Sequence, residues 1–167
     1  DMEGIAPGCQ ITGTGHGLSI PVGMSLLGRV LDGIGRPIDR KGTLEAEDWR
    51  SIHAEAPDAL TRRRVTEPLS VGVRAIDGLL TLGRGQRIGI FSGSGVGKST
   101  LLSMMARNTE ADVNVIALIG ERGKEVRDFI ERDLKEEGLA RSVLVIATAE
   151  QEPLVRLRAA FVATAIA

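Results

Sequence analysis

A glycine-rich stretch near the middle of the chain carries residue types that bind phosphate groups. Glycines let the backbone fold tightly, so that successive N–H groups point inward at phosphate oxygens. A lysine at the end of such a stretch can reach the outer phosphates of a nucleotide, and the adjacent hydroxyl can ligate Mg²⁺. The pattern predicts a site for ATP and Mg²⁺, with Ser99 as the metal ligand. The predicted site residues are Ser92, Gly93, Ser94, Gly95, Val96, Gly97, Lys98, Ser99 and Thr100.

The elements around this glycine loop fit a phosphate-binding loop between a strand and a helix. The apolar run Ile88–Phe91 predicts a buried parallel strand before the loop, and residues 98–107 predict an amphipathic helix after it. The usual glycine pattern begins with glycine, whereas this chain has Ser92 there. The structural alternative to phosphate binding is that the loop is only a glycine-rich turn that caps a helix. A nucleophilic serine on a sharp turn is excluded, because the loop lacks the Gly-x-Ser-x-Gly spacing.

A second candidate, Glu121, directly follows the apolar run 113–119. This run predicts a second parallel strand, and open parallel sheets bind ligands at the carboxyl ends of their strands. We therefore expect Glu121 to project toward the phosphates, where a carboxylate can orient and polarise the attacking water. The alternative is that Glu121 and Glu125 are surface charges at a helix start, where acidic side chains are favourable.

The pattern after residue 120 continues to alternate between helices and strands. Residues 124–137 predict an amphipathic helix with Gly138 as its C-cap, and residues 142–148 predict a third strand. Residues 154–167 predict a last helix, with Pro153 in its first turn. This alternation indicates an α/β fold in which helices pack on a parallel sheet.

The first 67 residues have a different character. Residues 1–38 combine short apolar stretches with frequent turn residues, which predicts short strands and tight turns. Residues 39–67 carry charges and little periodicity, which indicates a long surface linker. Trp49 is the only tryptophan, and we expect it to pack this linker against the core.

The composition excludes several classes of protein. A net charge of −1 and an aromatic content of 2% give no electrostatic or stacking case for nucleic acid. No apolar run approaches the ~20 residues of a membrane span, and no signal peptide is evident. Cys9 is the only cysteine, so no internal disulfide can form and a reducing, cytoplasmic location is expected. His16 and His53 are isolated, without metal-ligand spacing.

Together, these motifs resemble the export ATPases of type III secretion, which include the flagellar ATPase and its injectisome relatives. The resemblance lies in residues 67–77, 83–87 and 119–126 and in the glycine loop. The chain is also similar to the catalytic β subunit of rotary ATP synthase. The resemblance implies a RecA-like P-loop NTPase core of α/β fold, which this chain contains in part. The implied domains are 1–22 as the end of a small N-terminal β-barrel, 23–67 as a connecting segment with short strands, and 68–167 as the N-terminal part of the core.

The resemblance also implies roles for individual residues. Glu121 would be the catalytic carboxylate, with Lys98 and Arg122 beside it in the catalytic set. Noncatalytic ring subunits carry glutamine in place of this carboxylate, so Glu121 favours the catalytic type. Ser92 occupies a position where export ATPases commonly carry alanine, and Lys124 occupies one where they usually carry arginine.

As a whole, the resemblance implies a homohexameric ATPase that drives protein export, cytoplasmic and peripheral to the bacterial inner membrane. Its partners would be export-apparatus and stalk proteins, secretion chaperones and cargo, without nucleic acid. Three alternatives stay open: a catalytic subunit of a rotary ion-translocating ATPase, a Rho-like nucleic-acid translocase, and a regulatory subunit without catalysis. In the family, the magnesium-organising aspartate, the arginine finger and the C-terminal domain follow the part that these 167 residues match. We therefore expect the isolated segment to fold poorly or to hydrolyse ATP very slowly.

Overall fold

A parallel sheet with helices on it forms the body of the molecule in the computed structural model, which describes residues 6–13, 15–93 and 95–167. The strands are β1 Ser19–Val22, β2 Val30–Asp32, β3 Asp48–Ser51, β4 Asn114–Ile119 and β5 Ser142–Ala147. The α-helices are α1 Lys98–Asn108, α2 Gly123–Asp128, α3 Lys135–Ala140 and α4 Pro153–Ile166, and the π-helical segments are Ile76–Leu80 and Phe129–Leu134. None of the helices in these ranges is both long and apolar enough to cross a membrane. The structure confirms the strands and helices predicted after the glycine loop, except that the predicted helix 124–137 is divided into α2, the π-helical segment Phe129–Leu134 and α3.

The central sheet has three parallel strands in the order β2-β5-β4. β4 pairs with β5 from Asn114 opposite Ser142 to Ile119 opposite Ala147, and β2 pairs with the other side of β5. Every residue of β5 is buried. This is expected of a central strand whose two faces are both covered by other elements. The predicted α/β fold with a parallel sheet is confirmed.

Helices pack on both faces of the sheet. On one face, Leu144 and Ile146 belong to a buried cluster that includes residues of α1 and of the helical segment 123–140. On the other face, Val145 and Ala147 pack in a cluster with residues of α4 and β1. Because successive side chains of a strand point to opposite faces, β5 contributes to both clusters.

A two-stranded antiparallel ribbon of β1 and β3 lies beside this body. β3 falls in the segment 39–67, which was predicted to be a long surface linker. Trp49 lies in β3 opposite Pro21, and 63% of its surface is exposed. The prediction that Trp49 packs this segment down is therefore wrong. The buried residue that does so is Ile52, one position after the strand, which is 4% exposed and belongs to the cluster with α4.

The apolar run Ile88–Phe91 does not form the predicted strand. Phe91 is 96% exposed, and Ile88 is 45% exposed. None of the strands in the described ranges pairs with residues 86–93. An apolar run becomes a strand only where a neighbouring strand supplies hydrogen-bond partners for its backbone. The prediction of a buried strand before the glycine loop is therefore wrong in this structure.

The prediction that Gly138 is a helix C-cap is also wrong, because Gly138 lies inside α3. A Cβ at this position would lie 2.8 Å from Cδ1 of Leu134 and 3.1 Å from Cγ of Arg107. The carbonyl of Gly138 accepts a hydrogen bond of 2.6 Å from the Ser142 hydroxyl at the start of β5. The glycine therefore permits close packing, and the helix continues to Ala140.

The segment before the π-helical turn Ile76–Leu80 is attached to the C-terminal end of α1. The Asp77 carboxylate accepts hydrogen bonds from the N–H groups of Val71 (2.9 Å) and Gly72 (2.9 Å) and from the Ser70 hydroxyl (3.0 Å). The bond from Val71 contributes most to holding the pKa of Asp77 below its usual range. The Ser70 carbonyl accepts the N–H of Glu110 at 3.0 Å, just after the helix. These bonds fix the segment in place beside α1.

Gly72→Ala should destabilise the protein by about 2–5 kcal/mol. Gly72 has a φ of +70°, which costs a residue with a Cβ roughly 1–2 kcal/mol. The new Cβ would also enter the space of Asn108, whose carbonyl oxygen lies 3.1 Å away, and such overpacking costs about 1–3 kcal/mol. Urea denaturation measures the loss in the free energy of unfolding. Gly85→Ala is the matched control, since Gly85 has a φ of +83° but open space around it. Equal losses in the two variants would contradict the packing argument.

Candidate active site

The glycine loop leads directly into α1, which begins at Lys98. Gly95 has a φ of +74° and Gly97 a φ of +95°, a left-handed conformation that glycine adopts without steric cost. The Gly97 carbonyl accepts the N–H of Leu101 at 2.9 Å, which starts the helical hydrogen bonding. The first N–H groups of α1 have no partners within the helix, an arrangement that favours anions such as phosphate.

Glu121 lies two residues after β4, at the carboxyl edge of the sheet. The intervening Gly120 has a φ of +76°, and its N–H donates to the Ala147 carbonyl at 2.7 Å. This turn brings Oε1 of Glu121 to 3.4 Å from Nζ of Lys98. The two side chains are 29% and 50% exposed, so their ion pair contributes little to stability. Its significance is that the predicted lysine and carboxylate face each other.

The glycine loop and Glu121 line one cavity of about 350 Å³. This volume lies in the range of small-molecule sites. Side chains built at Gly95 and Gly97 would meet no atom within 4 Å, so the loop is open on this side. Of the predicted site residues, the cavity is lined by Gly93, Gly95, Gly97, Lys98, Ser99, Thr100 and Glu121.

The other predicted residues do not line this cavity in the described part of the chain. The Ser92 hydroxyl donates to the Gly93 carbonyl at 3.2 Å, and Val96 is 72% exposed. Arg122 precedes α2 as its N-cap, and its N–H donates to the Glu125 carboxylate at 3.4 Å. Ser94 lies outside the described residues.

Three acidic residues that were not predicted as site residues also line the cavity: Glu125, Asp128 and Asp133. Glu125 and Asp128 are three positions apart, so they share one face of the helical segment. The spacing of Glu125 and Asp128 is visible in the sequence and could have identified these two residues as candidates for the cavity lining. Asp128 also forms an ion pair with Arg132, with 3.6 Å between Nε of Arg132 and Oδ1 of Asp128.

A magnesium ion fits this set of side chains only together with bound phosphates. Within residues 6–13, 15–93 and 95–167, no group of three or more His, Cys, Asp or Glu residues could hold a metal ion. Mg²⁺ is usually held by one or two protein oxygens together with substrate phosphates and water. The hydroxyl of Ser99, which lies beside Lys98 in the same cavity, is a ligand of this kind.

A glycine loop that opens a helix with Lys-Ser, beside a carboxylate at the same edge of a parallel sheet, defines a P-loop nucleotide-binding domain. The model of the ATP synthase alpha/beta family, nucleotide-binding domain, matches residues 72–167. The chain belongs to this family.

Curated relatives confirm the resemblance to export ATPases. The chain is 53% identical over 167 residues to the type 3 secretion system ATPase of Xanthomonas euvesicatoria. This match covers 100% of this chain and 38% of that protein. It is 55% identical over 167 residues to the flagellum-specific ATP synthase of Bacillus subtilis, and this match also covers 100% of this chain and 38% of that protein. The chain therefore spans less than half the length of these relatives.

Solved structures give the same result for the fold. A prototypical ATPase from the type III secretion system of pathogenic bacteria matches with a TM-score of 0.84 and 52% identity, over 90% of this chain and 43% of that chain. The ATPase EscN of enteropathogenic E. coli, assembled with its central stalk EscO, matches with a TM-score of 0.84 and 52% identity, over 90% of this chain and 37% of that chain. The parallel α/β fold is thus that of the ATPases of this secretion system.

Proposed function

We propose that this chain forms part of an ATPase that energises protein export through a flagellar or virulence type III secretion system. The observation that carries the proposal is the pairing of Lys98 with Glu121 at 3.4 Å in the cavity under the glycine loop. The proposal is supported by relatives more than 50% identical that are named as type 3 secretion system and flagellum-specific enzymes.

The glycine loop and Lys98 would bind the phosphates of ATP. Backbone N–H groups of the loop would surround the phosphate oxygens, and Lys98 would supply a positive charge to the outer two. Ser99 would hold Mg²⁺, which neutralises charge on the phosphates when it is bound. Lys98 lies 3.4 Å from Oε1 of Glu121, so phosphate oxygens would compete with that carboxylate for the ammonium group.

Glu121 would act on the attacking water. Its carboxylate accepts a hydrogen bond from the water and holds it in line with the outer phosphate, which is the main task of a side chain in phosphoryl transfer. Arg122 follows in the chain and would stabilise negative charge near the leaving phosphate. Glu121 lines the cavity and would meet bound nucleotide directly, whereas Arg122 lies next to it at the same edge of the sheet.

We propose the same domain division and assembly as for the export ATPases. Residues 1–22 would end a small N-terminal β-barrel, residues 23–67 would connect it, and residues 68–167 would form the first part of the RecA-like core. The structural relative EscN is described as assembled and in complex with a central stalk, which supports a homohexameric ring with a stalk partner. Secretion chaperones and cargo would be further partners, and the location would be cytoplasmic, at the inner membrane.

Lys98→Ala should weaken ATP binding by about 10–100-fold, the value of one charge-assisted hydrogen bond of roughly 1.5–3 kcal/mol. The measurement is titration of the full protein encoded by the gene with a fluorescent ATP analogue. Lys124→Ala is the matched control, because Lys124 is an exposed lysine that does not line the cavity. Unchanged affinity in the Lys98 variant would contradict the assignment of the site.

The export role is tested in cells that carry the same Lys98 substitution on the chromosome. We expect secretion of flagellar or injectisome proteins to stop while the variant protein accumulates normally. Normal secretion would contradict the export role. Tight binding of single-stranded nucleic acid that falls steeply with salt would indicate a translocase instead.

A further inference from the structure

The loop that carries Glu121 is bonded to the loop that follows the central strand β5. The N–H of Gly120 donates to the Ala147 carbonyl at 2.7 Å, and the N–H of Ala149 donates to the Glu121 carbonyl at 3.0 Å. These two hydrogen bonds hold the backbone before and after the Glu121 Cα. The position from which the Glu121 side chain extends therefore depends on where residues 147–149 lie.

Gln151 closes the turn that contains Ala149. Its side-chain Oε1 accepts the N–H of Thr148 at 2.9 Å, and its own N–H donates to the Thr148 carbonyl at 3.1 Å. These two bonds join the ends of the turn 148–151, and the N–H that holds Glu121 lies between them. Loss of the side-chain acceptor would leave the partly buried N–H of Thr148 without its partner, which is costly and favours a rearranged turn.

We propose that Gln151 is a positioning residue that holds the Glu121 carboxylate in the geometry needed for hydrolysis. It acts through the turn 148–151, whose Ala149 N–H binds the Glu121 carbonyl. The inference rests on the proposed function, because it takes Glu121 as the group that orients the attacking water.

The Glu121 loop depends on this external contact because its own backbone is permissive. Gly120 and Gly123 flank the pair Glu121 and Arg122, and glycine has more accessible backbone conformations than other residues. A displacement of about 1 Å at a reacting group can cost on the order of 10²-fold in rate. Since phosphate binding rests on the glycine loop and Lys98, a loosened turn should lower the rate far more than the affinity for ATP.

A second turn of the chain has the same three hydrogen bonds but binds a different segment. Oε1 of Gln86 accepts the N–H of Gly83 at 2.8 Å, and the N–H of Gln86 donates to the Gly83 carbonyl at 3.0 Å. Within this turn, the N–H of Arg84 donates to the Glu67 carbonyl at 2.9 Å. Gln86→Met therefore removes the same kind of bond as Gln151→Met and is its matched control.

The test compares Gln151→Met, Gln151→Glu and Gln86→Met in the full protein encoded by the gene. Methionine is similar in length to glutamine but is only a weak acceptor. Gln151→Met should lower kcat by about 10–100-fold, while the affinity for a fluorescent ATP analogue changes by less than about 2-fold. Gln151→Glu keeps an acceptor oxygen and should retain most of the rate. Gln86→Met should lower the melting temperature about as much as Gln151→Met and keep the normal kcat.

Three results of this comparison would overturn the inference. The first is an unchanged kcat in Gln151→Met, and the second is an equal fall of kcat in Gln86→Met, which would show general destabilisation. The third is a Gln151→Glu variant as slow as Gln151→Met, because the hydrogen bond would then not be the cause.

Ala149→Pro tests the connection itself, since it removes the N–H that donates to the Glu121 carbonyl. Proline is favoured at the second position of a β-turn, and Ala149 does not have the positive φ that would exclude it. The kcat should fall as in Gln151→Met, and the double variant should be no slower than either single one, because the two residues act as a unit. A normal kcat in Ala149→Pro, or additive losses in the double variant, would overturn the inference while the proposed function stands. If the unsubstituted protein does not hydrolyse ATP, the proposed function itself is wrong and the inference falls with it.

Discussion

Glu121→Gln should lower kcat for ATP hydrolysis by about 10²–10⁴-fold, the usual contribution of a positioned acid–base group. Glutamine has nearly the same shape, but its neutral amide cannot polarise a water molecule as a carboxylate does. Lys98, 3.4 Å from Oε1 of Glu121, loses its ionic partner in the variant. ATP affinity should therefore be kept or raised, because the lysine becomes free for the phosphates. Steady-state hydrolysis and nucleotide titration of the full protein measure the two effects.

Glu125 gives this prediction a clear competitor. It lines the same cavity, but its carboxylate accepts the N–H of Arg122, which fixes it at the start of α2. If Glu121→Gln kept the normal rate and Glu125→Gln did not, the catalytic carboxylate would be Glu125. Loss of nucleotide binding in Glu121→Gln would instead show that this side chain serves the structure of the site.

The proximity of Lys98 and Glu121 could be predicted from the sequence because it follows from topology. Both residues adjoin the carboxyl edge of a parallel sheet, and strands such as 113–119 are recognisable from their apolar composition alone. Helix α1 was also predictable, since a short amphipathic helix directly follows the loop. What topology cannot give is the 3.4 Å distance between the two side chains, which depends on the conformation of Gly120.

The remaining features could not be predicted, because they depend on long-range partners. The run Ile88–Phe91 is as apolar as a buried strand, yet no strand in the described residues pairs with it. β2, in contrast, is three residues long, and it joins the sheet only because β5 offers it a free edge. The bond from the N–H of Ala149 to the Glu121 carbonyl joins two loops that meet only in the fold.

Asp39→Asn should destabilise the protein by about 3–5 kcal/mol, the usual cost of breaking a buried ion pair from one side. Arg29 binds Asp39 through two parallel hydrogen bonds, Nε to Oδ2 at 2.7 Å and a terminal nitrogen to Oδ1 at 3.0 Å. The two side chains are only 12% and 5% exposed, so the arginine would be left with an uncompensated charge. Urea unfolding at neutral pH measures the loss, with Asp58→Asn, at an exposed aspartate, as the control.

The same pair predicts a dependence of stability on pH. Burial alone would raise the pKa of Asp39, but hydrogen bonds from Arg29 and from the N–H groups of Lys41 and Val30 outweigh burial and hold the pKa far below its usual range. A carboxyl group with a lowered pKa stabilises the folded state fully above its unfolded pKa of about 3.9. This contribution is lost progressively as the pH falls from about 5 toward the folded pKa. The free energy of unfolding should therefore fall less steeply with acid in Asp39→Asn.

A double substitution separates the cost of an unpaired charge from the value of the pair. Arg29→Met with Asp39→Leu removes both charges and fills similar volume with apolar atoms, a change that is often neutral for buried pairs. We expect the double variant to be more stable than Asp39→Asn and its stability to be insensitive to acid in this range. If it were as unstable as the single variant, the main contribution would come from the hydrogen bonds that Asp39 accepts from the backbone N–H groups of Val30 and Lys41. In that case the role of Asp39 is to fold the turn after β2, and Arg29 only neutralises its charge.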